Sequence, residues 1–186
     1  MNKQDLEKIY KQRRLSGFDV VKVLHQDKVK VYVAGPIAFA EDMQEYRKVL
    51  KDTLEKLSPK FEIHDPWERE HGKPCQVKSA AARASEEDKI VAEEIITEDL
   101  KDIAICDIVI AYMFRIGSGT SMEIFWASRV LGKPVILIYQ TEEGNSVPLW
   151  LYGHANLIFQ SKQGMVRFLR RELEDGDEDD GHKEDR

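Results

Sequence analysis

Cys106-Asp107-Ile108-Val109-Ile110-Ala111-Tyr112 and, two residues on, Arg115-Ile116-Gly117-Ser118-Gly119-Thr120-Ser121-Met122-Glu123 hold the fold in miniature. The first run is short and apolar on both faces, as a buried strand of a parallel sheet should be. The second is a glycine-rich turn that opens a helix. Strand, glycine turn and helix in that order place Glu123 at the first helical turn, beside the carboxyl end of a strand, where an open α/β sheet keeps its chemistry. A structural reading competes: Thr120-Ser121-Met122-Glu123 also fits the capping box, in which Thr and Glu satisfy each other's orphan N–H groups.

Working outward, Lys30-Val31-Tyr32-Val33-Ala34 is a first strand stopped by Gly35-Pro36. A helix follows over 41–57, with Met43, Tyr46, Val49, Leu50, Leu54 and Leu57 at near-helical spacing. Phe61-Glu62-Ile63-His64 is a second strand ended by Asp65-Pro66, and 107–112 is the third. The helix over 120–131 is closed by Gly132; strand four is 134–139, strand five 156–159, and the last helix 162–173. The expected fold is α/β: a Rossmann-like or flavodoxin-like three-layer sandwich with a parallel sheet of about five strands. Residues 67–85 lack periodicity, and a connection that long is usually functional. Residues 3–14 read as a helix, and 18–24 as either a strand or an amphipathic turn. The division expected is an N-terminal helical appendage over 1–28, one domain over 29–173 and an acidic disordered tail over 174–186.

The net charge of −6 is local to that tail. Eight of the 34 acids and two of the 28 bases lie in 174–186, so the rest of the chain carries 26 of each. A neutral body with no basic stripe argues against nucleic acid as a partner. No apolar run reaches the roughly 18–20 residues that span a bilayer, and Met1-Asn2-Lys3-Gln4-Asp5 is no signal peptide. Cys75 and Cys106 have no metal-ligand or CxxC spacing, which leaves a cytoplasmic protein with reduced thiols as the default. The five histidines show no metal spacing, so neither metal nor cofactor is expected.

Two carboxylates stand out. On the helix over 86–104, Val91, Ala92, Ile95, Ile96, Leu100 and Ile103 share one broad face, and Asp99 falls near its middle. A carboxyl in an apolar seam needs a partner, or desolvation raises its pKa. Asp99 is therefore expected to be the neutral acid of a pair whose anion is Glu123, favoured by the helix dipole. One ionised and one protonated carboxyl are what glycoside cleavage requires; the bland alternative is an Asp bonded to a neighbouring loop. Gly35 allows close backbone approach to a ligand, but the loop is neither GxGxxG nor a Walker loop. After strand two, Trp67 is placed to stack on a base and Asp65 to bond its edge, unless they are simply a turn Asp and a surface Trp. Leu149-Trp150-Leu151-Tyr152 is either a subunit contact or a local core cluster.

Taken together, Tyr32-Val33-Ala34-Gly35-Pro36-Ile37, Glu98-Asp99-Leu100, Cys106–Ala111, Gly119-Thr120-Ser121-Met122-Glu123 and Gly132-Lys133-Pro134-Val135 resemble the nucleoside 2-deoxyribosyltransferase family over about residues 29–140, more loosely to about 170. The resemblance implies that Glu123 attacks the anomeric carbon and forms a glycosyl-enzyme, that Asp99 assists the leaving base, and that Tyr32 lies by the nucleophile. It implies a flavodoxin-like fold and homo-oligomers whose neighbouring subunits complete each site. Gly35, Pro36, Ile37, Gly119 and Thr120, with Asp65 and Trp67, are then the expected substrate-binding positions.

The related 2′-deoxynucleoside 5′-phosphate N-hydrolases carry an arginine shortly after the first-strand glycine, where this chain has Ala38; Arg47, Arg83 and Arg115 are the candidate replacements. Val147–His154 offers no match to the family's partner-subunit residues. The expectation is cleavage of the N-glycosidic bond of a (deoxy)ribonucleoside with transfer to a second nucleobase, since a lid over 67–85 would exclude water. The rivals are a nucleoside 5′-monophosphate N-hydrolase, a nicotinamide–ribose cleaving enzyme and a non-catalytic nucleotide-binding domain.

Overall fold

Alternating side chains along each strand feed two separate cores, one on either face of a single sheet. Val29, Val31 and Val33 of β1 (Val29–Ala34) point to one face, whereas Tyr32 and Ala34 point to the other. The structure is a computed structural model, and it describes residues 17–38, 40–70, 85–140 and 146–179. The helix expected over 3–14, Cys75, Arg83, most of the 67–85 segment and the end of the acidic tail lie outside these residues.

The strands β1, β2 (Phe61–His64), β3 (Ile108–Met113), β4 (Val135–Tyr139) and β5 (Leu157–Phe159) are all parallel, in the order β2-β1-β3-β4-β5. This is the doubly wound order of flavodoxin-like sheets. On the first face lie α1 (Gly17–Leu24), α2 (Glu45–Leu57) and α7 (Lys162–Asp179), which contribute Val20, Leu24, Leu50, Leu54, Met165 and Leu169. On the second lie α4 (Glu86–Ile105) and α5 (Ser118–Phe125), with a π-helical turn Trp126–Val130 and the short α6 (Leu149–Tyr152). A short α3 (Pro66–Glu70) follows β2.

Several boundaries differ from expectation for physical reasons. Residues 17–24 are helical, and Val20 and Leu24 are fully buried against α7, so this part of the segment read as an appendage belongs to the packed core. At the other end α7 runs on to Asp179, into the segment read as a disordered tail, propagated from the anchored turns at Met165 and Leu169. The broad apolar face of α4 is narrower than its composition: Ile103 is buried, whereas Ile96 is 57% exposed. Ile95 and Ile96 point about 100° apart and cannot both enter one seam. Gly132 closes its helix as expected, at φ +66°, the left-handed stop that glycine makes without penalty. Among the described residues, no helix is long and apolar enough to cross a membrane.

The chain steps from β1 outward to β2 and then back past β1 to β3, so the switch point falls between β1 and β3. Their carboxyl-end loops meet there: a Cβ on Gly117 would sit 3.2 Å from Cβ of Pro36.

Candidate active site

Tyr32 is buried at the heart of β1, and its hydroxyl donates a 2.6 Å hydrogen bond to Oε1 of Glu123. This bond joins strand to helix across the switch point. It also removes the capping reading. The N-cap of α5 is Gly117, and Thr120 lies inside the first turn with its side chain buried, while Ser121 returns its hydroxyl to the Gly117 carbonyl at 2.8 Å. Glu123 therefore stands in the second turn of α5, not the first, and its carboxylate serves Tyr32 rather than the helix end.

That position changes its charge state. The helix dipole fades beyond the first turn, and protein surrounds the carboxylate although some of the residue stays accessible. Burial, and then the negative charge of Asp99, push the Glu123 carboxyl up to about 7; the Tyr32 hydrogen bond and Arg47 pull the other way. Burial thus works against the ionised Glu123 that the helix position suggested, and Asp99 is paired with a cation: its Oδ1 accepts from Arg69 Nη2 at 2.6 Å. Asp99 lies on the Ile95–Ile103 stripe of α4, and its negative charge is felt at Glu123.

Beneath the first-strand loop lies a buried cation. Arg47, 1% exposed, donates to Asp65 Oδ1 at 2.7 Å, to the carbonyls of Val33 (3.1 Å) and Gly35 (2.7 Å), and to Gln44 Oε1 at 2.7 Å. Asp65 also accepts from the Trp67 backbone N–H at 3.0 Å. Asp65 is therefore a buried counter-ion, not a group turned toward a base edge, and Arg47 braces the loop instead of facing a phosphate. Gly35 is required for a steric reason: a Cβ there would lie 2.0 Å from the Tyr46 hydroxyl and 3.0 Å from the Tyr112 carbonyl oxygen. The Tyr46 hydroxyl is itself buried and makes no hydrogen bond of ordinary geometry among the described residues; burial raises its pKa well above the usual phenol range.

Of the other expected positions, Pro36 is buried, Ile37 and Trp67 are half-buried, and Gly119 is exposed with open space beside it. Arg115 lies exposed on the β3 loop. Arg69 escaped the sequence reading, Tyr46 was read only as a helix-face residue and Arg47 only as a candidate phosphate ligand, because nothing in a lone arginine or a helical tyrosine marks its partner. Cys106 is a free buried thiol pushed up to about 12 by burial, which makes it a poor nucleophile. Among the described residues, no group of three or more His, Cys, Asp or Glu is arranged to hold a metal ion.

A parallel 2-1-3-4-5 sheet of this kind is an open α/β fold whose ligand crevice lies at the switch point, where Tyr32 and Glu123 meet. The sequence profile of nucleoside 2-deoxyribosyltransferases matches residues 31–166, and the chain belongs to that family. No functionally curated protein sequence matches it significantly. Solved structures share the fold. A conserved protein from Enterococcus faecalis is 17% identical over 78% of this chain and 99% of its own, with a TM-score of 0.53. The 2-deoxyribosyltransferase of Bacillus psychrosaccharolyticus is 24% identical over 74% and 90%, with a TM-score of 0.52. A CMP N-glycosidase of Clostridium botulinum matches more loosely, at 21% identity, 75% and 97% coverage and a TM-score of 0.44.

Proposed function

We propose that the protein cleaves the N-glycosidic bond of a (deoxy)ribonucleoside and passes the sugar to a second nucleobase through an ester at Glu123. The observation that carries this reading is the 2.6 Å bond from Tyr32 to Glu123, made while Asp99 bears on the same carboxylate. A glutamate held in place by a phenol and beside a second acid is built to be aimed, not to cap a helix.

Near neutral pH the pair holds one proton. As Glu123 attacks C1′, the bond from C1′ to the base nitrogen breaks and its electron pair leaves with the base. The proton that Glu123 must shed is the one the base must gain, and Asp99 is the group that relays it. A second base then attacks C1′ with its nitrogen, releases its own proton to the pair and frees Glu123. Because the pair must keep one proton, kcat/KM should fall as pH rises through about 7. Glu123 and Asp99 are the catalytic residues in this reading, and Tyr32 is the positioning residue. Ile37, Trp67 and Gly119 line the substrate.

A nucleoside is favoured over its 5′-phosphate because Arg47 is committed to Asp65 and two carbonyls. The exposed Leu149, Trp150 and Tyr152 support a contact with a second copy of the chain, in a homo-oligomer that works in the cytoplasm. The test is intact-protein mass spectrometry after incubation with a 2-fluoro-deoxynucleoside. A sugar adduct that maps to Glu123 is expected; turnover of a natural deoxynucleoside by protein that never acquires the adduct would defeat the mechanism. Chromatography with and without an acceptor base separates transfer from hydrolysis.

A further inference from the structure

One guanidinium joins the end of β2 to the acid on α4. Arg69 of α3 places Nη2 2.6 Å from Asp99 Oδ1 and Nη1 against Oδ2 of Asp102. The three side chains are 29%, 15% and 24% exposed, so this is no loose surface pair. Asp99 and Asp102 are three apart on one helix and present their oxygens side by side. A planar fork gripping both fixes the Asp99 carboxylate more firmly than a single ammonium would. On its other side Asp99 bears on Glu123.

We propose that Arg69 is a positioning residue of the active site: by gripping Asp99 it sets the pH at which the Asp99–Glu123 pair loses its last proton. The consequence for turnover rests on the glycosyl-transfer reading above; the titration is a property of the free protein. The charges around the pair make the direction plain. Glu123 is faced by Tyr32 from β1, Tyr46 and Arg47 from α2, Asp65 after β2, and Asp99 from α4. Asp99 is faced by Arg69 from α3, with Asp102 one turn on and Glu123 opposite. Among the described residues these four carboxylates face two guanidiniums, and Arg47 is already held by Asp65. Taking away the charge of Arg69 leaves the doubly ionised pair with less compensation, so its last proton is held to higher pH.

The experiment compares wild type, Arg69→Met and Arg69→Lys. Free protein labelled with 13C at the Glu and Asp side-chain carboxyls is titrated by NMR, and kcat/KM for a deoxynucleoside is measured against pH. Arg69→Met should raise the last deprotonation of the pair by about one pH unit and carry the high-pH limb of kcat/KM with it; Arg69→Lys should stay near wild type. If Arg69→Met does not fold, Arg69→Gln replaces it with the same expectation. An unmoved NMR midpoint, with rates lowered equally at every pH, would reduce Arg69 to a structural brace and overturn the inference. If even the wild type shows no turnover, the proposed reaction fails while the NMR titration still decides the role of Arg69.

Discussion

Replacing Glu123 by glutamine should make the protein more stable, and only at the upper end of the pH range. The unfolded carboxyl titrates near 4.5, and the folded one is pushed up to about 7 by burial and by Asp99. Between those values the folded state holds a proton that the unfolded state has released, so wild-type stability falls as pH rises through the window. At 1.36 kcal/mol for each tenfold change, the full displacement is worth about 3 kcal/mol. Because Glu123 retains some accessible surface, a measured loss of about 1–3 kcal/mol is the fair expectation. Glutamine keeps an oxygen to accept from Tyr32 but carries no charge, so it escapes this loss entirely. Urea unfolding followed by far-UV circular dichroism, at intervals from pH 4.5 to 8, gives the two curves. The variant should lie near wild type at pH 4.5 and exceed it by about 1–3 kcal/mol at pH 8. A difference that does not vary with pH, or a variant weaker at pH 8, would refute the claim that burial and Asp99 strain this carboxylate. A gain in stability accompanied by loss of turnover is the usual mark of a functional group held against its preference.

Three further outcomes follow from the same geometry. Tyr32→Phe removes the bond that orients Glu123 and should lower kcat by roughly 10–100-fold, the equivalent of a hydrogen bond to a charged group, in steady-state assays with folding intact. Asp65→Ala strands the buried Arg47 guanidinium and should cost about 3–5 kcal/mol in urea unfolding, far more than loss of a surface pair would. Gly35→Ala sets a methyl group 2.0 Å from the Tyr46 hydroxyl and should destabilise the fold by about 1–3 kcal/mol, with part of the loss recovered by adding Tyr46→Phe; a Gly35→Ala protein as stable as wild type in thermal melts would show that the loop has room to shift.

The sheet was legible because parallel strands buried on both faces are written as unbroken apolar runs, and 108–113 and 135–139 are such runs. Gly132 was legible as well, since a left-handed helix stop has few other chemistries. Residues 17–24 were not, because eight residues with few turns of periodicity fit a strand or a helix until α7 supplies the surface that Val20 and Leu24 cover. At the site, Glu123, Asp99 and Tyr32 were named from motif order; the structure bonds Tyr32 to Glu123, and the charge of Asp99 is felt at the same carboxyl. Their protonation did not come with them. Position along a helix suggested an ionised Glu123, whereas burial and the charge of Asp99, both matters of tertiary neighbourhood, push its carboxyl upward. Arg47, Asp65 and Arg69 are the clearest case: three ordinary charged residues in sequence, each paired in space with a partner that spacing could not disclose.

The side chains of Arg47 and Asp65 are inherited as one part. Neither tolerates solitude in the interior, so a lineage that altered either would have to alter both, and the turn they hold would drift with them. A phosphate held near this turn would therefore need a cation from outside that partnership, because reassigning Arg47 would dismantle the loop it braces.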